Sequence, residues 1–175
     1  MHSLELLLDD DADASVRADW DRLVEAGLPS SGRHRSPSNA PHITLVAAPA
    51  LDPATVPGID DRVAGAAGFV DLPLVSAGVL LFGPRRGTYV LVRQVILTPE
   101  LLELHRRVCA AAGPAPGQIR TSLPGSWTPH ITLARRLSAL QVAAALQVIQ
   151  PPPEPLRAVG LRRWDSDTRT VVRLA

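Results

Sequence analysis

The chain has 175 residues, the size of one compact domain, and 46% of them are apolar, enough for a core of its own. One cysteine, Cys109, excludes an internal disulfide and any cysteine-based zinc cluster. No stretch approaches the roughly 20 apolar residues that span a bilayer, and no segment reads as a secretion signal, so the expectation is a cytoplasmic monomer with no membrane segment. The formal net charge of +1 hides an uneven split. Residues 1–80 hold 12 acids and 5 arginines, a balance of −7; residues 81–175 hold 5 acids and 13 arginines, a balance of +8. Either the second half faces an anion, or the charge is a solvated surface of mixed sign.

In chain order, residues 3–8 read as a strand. Asp11 or Asp13 can then cap a helix whose buried face is Val16, Trp20, Leu23 and Val24. Residues 29–40 form a polar Ser/Pro/Gly loop, and a strand starts at His42. A short helix is expected within 52–67, although Pro53 and Pro57 interrupt the pattern. Residues 70–82 and 88–97 read as strands joined by a turn over 83–87. Thr98 followed by Pro99 starts a helix with Leu101, Leu104 and Val108 on its apolar face. A second Gly/Pro/Ser loop covers 113–128, and another strand starts at His130. Ser138 with Gln141 forms a capping box, and Leu137 with Val142 a hydrophobic staple, for a helix that Pro151 to Pro153 stop. Residues 156–164 and 168–174 close the chain as a hairpin. The mixture of helices with hairpin-linked strands predicts an α+β fold with largely antiparallel sheets.

The pentapeptide Pro-His-Ile-Thr-Leu occurs at 41–45 and again at 129–133, an offset of 88 residues, or half the chain. Each copy follows a long loop and opens a strand, which implies two related halves. On a strand, side chains two apart share a face. His42 therefore projects with Thr44, and His130 with Thr132, while Ile43 and Leu45 point into an apolar layer. Two such strands side by side place two imidazoles and two hydroxyls over one cleft. One imidazole can take a proton from water and the other give one to a leaving oxygen. The hydroxyls can donate to phosphate oxygens. No third ligand accompanies either histidine, so no metal and no cofactor is expected.

The chain resembles the 2H phosphoesterase superfamily and, within it, the LigT-like proteins, also called 2′-5′ RNA ligases or RNA 2′,3′-cyclic phosphodiesterases. The resemblance rests on His42-Ile43-Thr44 and His130-Ile131-Thr132, their spacing, and the strand–helix order. It implies two related α+β lobes around a central cleft. It also implies metal-free opening of 2′,3′-cyclic phosphates of RNA ends or nucleotides, in some members with reversible 2′-5′ joining. His42, His130, Thr44 and Thr132 carry over by position, and the resemblance gives His130 the role of base and His42 that of acid. A module that holds a nucleotide or RNA end without turnover is the alternative.

Other residues are candidates. If the second motif strand continues regularly, Arg136 shares the face of His130 and Thr132 and can neutralise phosphate beside Arg135; otherwise both are a solvated strand end. Trp127 is either a ring for stacking an unpaired base or loop packing. Tyr89 and Trp164, on strands, have the same standing. Phe82 reads as packing, Arg85 and Arg86 as a hairpin tip, His34 as an exposed loop, and His105 as surface.

Overall fold

The computed structural model describes residues 1–36 and 38–175; Pro37, within the first predicted loop, lies outside the described residues. The first half comprises β1 (His2–Leu8), α1 (Asp10–Glu25), β2 (His42–Ala48), α2 (Ile59–Ala67) and β3 (Leu72–Arg85). The second comprises β4 (Thr88–Val95), α3 (Pro99–Ala112), β5 (His130–Leu137), α4 (Ala139–Val148) and β6 (Glu154–Asp165), followed by β7 (Thr170–Arg173). A 3-10 turn precedes each motif strand, at Ser31–Arg33 and Arg120–Ser122, so the same order of elements occurs twice. The fold is α+β.

Local chemistry sets the element boundaries. Helix α1 is capped by Asp9, which accepts from Ala12 N at 3.1 Å, and not by Asp11 or Asp13. Asp10, Asp11 and Asp13 sit instead in the first turn, where they complement the helix dipole. Thr98 caps α3 through Leu101 N, and Ser138 and Gln141 form both bonds of the capping box of α4, as the sequence indicates. The β3–β4 turn is tighter than expected. Strand β3 runs on to Arg85, which pairs with Thr88, leaving only Arg86 and Gly87 to turn. Both have left-handed φ, of 52° and 77°, as a mirror-image two-residue hairpin requires.

The strands pair antiparallel in the order β1-β2-β5-β4-β3-β6-β7, and β1 also pairs β6, so the first six close a circuit. Two lobes result, β2-β1-β6-β7 and β5-β4-β3. Each half sends its last strand to the other lobe, so neither half completes a sheet alone. The lobes meet at two seams. One is β3 against β6, over Leu72–Ser76 and Glu154–Ala158. The other is β2 against β5, through the pair Ile43↔Ile131. These two isoleucines hold the same position in the two motifs, so a pseudo-twofold axis passes between them.

Helix α1 packs on β5 and β6, and α3 on β2. That layer takes Ile43, Leu45, Ile131 and Leu133, all fully buried. Complete burial of such a side chain stabilises by about 1.5–3 kcal/mol. Part of the uneven charge is neutralised between the two halves. Arg93 pairs with Asp19, Arg157 with Asp71, Arg162 with Glu5 and Arg163 with Asp60, in each case a second-half arginine on a first-half acid.

Candidate active site

Both motif histidines open their strands and are held alike. His42 Nδ1 lies 2.7 Å from Ala40 O and His130 Nδ1 lies 2.7 Å from Thr128 O. A carbonyl only accepts, so each Nδ1 carries the hydrogen and each Nε2 is left for chemistry. The pairing Ile43↔Ile131, continued one residue each way, sets His42 across from Thr132 and Thr44 across from His130. All four side chains thus leave the sheet on the face opposite the buried isoleucines.

Both motif strands bulge at the same point. β1 pairs Glu5 with Thr44 but Leu4 with Val46, skipping Leu45; β4 pairs Val92 with Thr132 but Leu91 with Ala134, skipping Leu133. A bulge takes a backbone group out of the regular ladder. Here an indole supplies a donor to the carbonyl just before it. Trp20 Nε1 donates to Thr132 O at 3.0 Å, and Trp127 Nε1 to Thr44 O at 2.9 Å. Trp20 is core as expected, 3% exposed.

The bulge decides which arginine lies on the histidine face. It shifts the side-chain parity of β5 by one, so that Ala134 is buried and Arg135 turns to the histidine face. Arg135 Nη2 donates to Thr132 Oγ1 at 3.3 Å. Arg136, expected on this face from a regular strand, sits with φ 61° in a second irregularity and is exposed.

The surroundings of the two imidazoles differ. Nε2 of His42 lies 3.5 Å from Glu5 Oε1. The Glu5 carboxylate is 3% exposed and fixed by Ser3 Oγ at 2.5 Å and Arg162 Nε at 2.7 Å. Burial pushes this carboxyl up, but His42, Arg162 and Ser3 together outweigh it and hold it below the usual carboxylate range. His130 meets the ring of Phe82 edge-on, centroids 4.8 Å apart. Desolvation pulls its imidazole below the usual range; the Thr128 carbonyl opposes this, and the charges of Arg135 and His42 add to it.

The remaining candidates fall elsewhere. Trp127 stacks flat on His105, centroids 4.0 Å apart, beneath β2. Tyr89 pairs with Leu137 and packs on the helix-side core, because alternation along β4 turns it away from the histidines. Arg85 and Arg86 are exposed at the hairpin tip and His34 in its loop. Phe82 packs edge-on against His130. Two residues depart from the sequence reading. Glu5 gave no sequence signal, since its role depends on the register of β1 with β2. His105 is fully buried and bridges Leu45 O and Ser122 O through Nε2. Its spacing from Leu101, Leu104, Val108 and Ala112 places it on the buried face of α3; the neighbouring Arg106 and Arg107 suggested surface.

Two imidazoles with free Nε2 atoms, two hydroxyls and one guanidinium on one sheet face can hold a phosphate and exchange protons with it from both sides. Among the described residues, one group of three side chains is close enough to share an ion: His2, Asp165 and Asp167. Neither motif histidine belongs to it. A shallow groove of about 390 Å³, lined by Ser36, Ser38, Arg162, Arg169 and Val171, continues the histidine face past Glu5.

The family model of the 2′-5′ RNA ligase superfamily matches residues 12–168. No curated protein matches the sequence. Among solved structures, the chain is similar to TT0787 of Thermus thermophilus, at 17% identity and TM-score 0.61, over 99% of this chain and 94% of that one. It is also similar to Usb1 of Kluyveromyces marxianus, at 12% identity and TM-score 0.53, over 99% and 96%. At these identities the likeness is one of fold.

Proposed function

The chain belongs to the 2′-5′ RNA ligase superfamily, within the 2H phosphoesterases and their LigT-like branch, and from that premise we propose that it is a metal-independent phosphodiesterase opening 2′,3′-cyclic phosphates of RNA ends or nucleotides. Membership itself supports phosphoesterase-type processing of RNA or nucleotides. The observation that carries the finer reading is the matched anchoring of the two histidines, each with Nδ1 on a carbonyl and Nε2 left without a hydrogen bond among the described residues, on strands that meet at Ile43 and Ile131.

In this reaction the cyclic phosphate lies between the two rings. Neutral His130 takes a proton from water through Nε2 as the water oxygen bonds to phosphorus. The bond from phosphorus to one ribose oxygen breaks, and protonated His42 gives that oxygen its proton. Thr44 and Thr132 donate to the non-bridging oxygens, and Arg135 offsets the charge that builds on them. The withdrawal of His130 from water and its neighbour Arg135 favour the neutral form that a base needs. The groove beside Arg162 offers room for the adjoining nucleotide of an RNA end.

The test is incubation of the protein with 2′,3′-cyclic nucleotides and cyclic-ended oligonucleotides in excess chelator, with products resolved by chromatography. The expected result is conversion to a single monoester at a rate that added magnesium or zinc leaves unchanged. Dependence on a restored divalent ion would assign the chemistry to a metal. Saturable binding with no turnover would replace the enzyme by a binding module.

A further inference from the structure

We propose that Glu5 is the positioning residue that keeps His42 protonated between turnovers, and that it thereby decides which of two otherwise equivalent histidines acts as the acid. This rests on the two-histidine reading above.

A pseudo-twofold axis through a catalytic pair presents a problem. Identical rings, identically anchored, have no reason to take opposite roles. The reaction nevertheless needs one neutral and one charged at the same moment. Something off the axis must break the tie. The register identifies it. Glu5 stands across from Thr44, and the residue standing across from Thr132 is Val92. The counterpart of the carboxylate is therefore a buried apolar side chain. Arg135 breaks the symmetry in the opposite sense, because the position 88 residues earlier is Ala47. One ring has an anion as neighbour and the other a cation.

Geometry makes Glu5 suited to the task. Its carboxylate is fixed by Ser3 and Arg162, and Arg162 is itself tied to Ser38 O at 3.0 Å. The carboxylate thus cannot swing into the cleft to meet the phosphate. It lies 3.5 Å from His42 Nε2, an ion-pair distance long enough to leave the N–H free for the leaving oxygen. Among the described residues, the charged and titratable groups around His42 are Glu5 from β1, Arg162 behind it from β6, and His130 from β5, with Arg135 beside His130 and Glu5. Of these only Glu5 is anionic. Its carboxyl is held below the usual carboxylate range, against burial, by His42, Arg162 and Ser3.

The experiment compares kcat/KM against pH for the native protein and Glu5→Gln on two substrates: a 2′,3′-cyclic nucleotide, and a nitrophenyl phosphodiester whose leaving group needs no proton. With the cyclic nucleotide, the alkaline limb of Glu5→Gln should move down by roughly one pH unit, costing about tenfold on that limb, the usual effect of one close opposite charge. The acidic limb should stay near its place. The nitrophenyl ester should lose less than about threefold at the same pH. Glu5→Asp should restore part of the alkaline limb. An unmoved limb, or equal losses on both substrates, overturns the proposal, since a purely structural role would depress both alike. If Glu5→Gln does not fold, NMR titration of the native histidines decides. His42 must keep its proton to higher pH than His130, and the reverse order overturns the inference. Failure of the underlying reading would look different: His42→Ala would remain active.

Discussion

Alanine in place of either His42 or His130 lowers turnover of a cyclic phosphate by about 10²–10⁴-fold, the usual worth of a positioned acid or base. The folded state should change little for His130→Ala and more for His42→Ala, which also removes the charge that most offsets the burial of Glu5. Each ring is partly exposed and makes one anchoring hydrogen bond, to Ala40 O or Thr128 O, worth about 0.5–1.5 kcal/mol. Because the two groups act in one step, the double variant should be little worse than the poorer single one. Kinetics on both single variants and the double, beside thermal melts, checks all three statements. Near-native turnover by either single variant on a good substrate would remove the mechanism.

The largest effect on stability should come from Arg93, far from the chemistry. Its guanidinium is 2% exposed and donates to Asp19 Oδ2 at 2.6 Å, Ser15 O at 3.0 Å, Ser15 Oγ at 3.2 Å, and Glu154. Asp19 is fully buried. The cluster ties α1 to β4 and to β6, and so joins both lobes. Arg93→Met would leave the Asp19 carboxylate with Arg22, largely exposed, as its remaining ion-pair partner. Breaking a buried pair in this way costs about 3–5 kcal/mol, a large share of the 5–15 kcal/mol typical of a whole domain. Urea unfolding measures it directly. A loss below about 1 kcal/mol would mean that the charges are solvated and the cluster contributes little.

What the sequence revealed and what it hid divide along a physical line. The motif strands were legible because side-chain alternation is local: His42 with Thr44, and Ile43 with Leu45, follow from a period of two. The helix starts at Thr98 and Ser138 were legible because capping depends on residues three apart. The arginine on the histidine face was not. A bulge after Thr132 put Arg135 on the face of His130 where a regular strand would have offered Arg136, and a bulge is defined by the partner strand. Glu5 was hidden for the same reason, since nothing within β1 says that it lies across from Thr44. The exchange of β3 and β6 between lobes also depends on pairing at long range. The charge split was visible, but its use was not: arginines such as Arg162 and Arg163 neutralise acids of the other half inside the fold. His105 was a different failure. Its spacing on α3 marked it as buried, and the charged neighbours Arg106 and Arg107 drew the reading to the surface.

The pH dependence of kcat/KM for a 2′,3′-cyclic nucleotide, measured on the native protein with the chemical step rate-limiting, tests the two-histidine account most directly. One imidazole must be neutral while the other is protonated, so the profile should be a bell whose limbs belong to the coupled pair. Rate should rise as His130 loses its proton, and desolvation with the charges of Arg135 and His42 sets that limb below the usual imidazole range. Rate should fall again at higher pH as the pair loses the proton that the leaving oxygen needs. A profile that stays flat through the imidazole range would contradict the account, because no pair of histidines would then be exchanging protons in the step that limits the reaction.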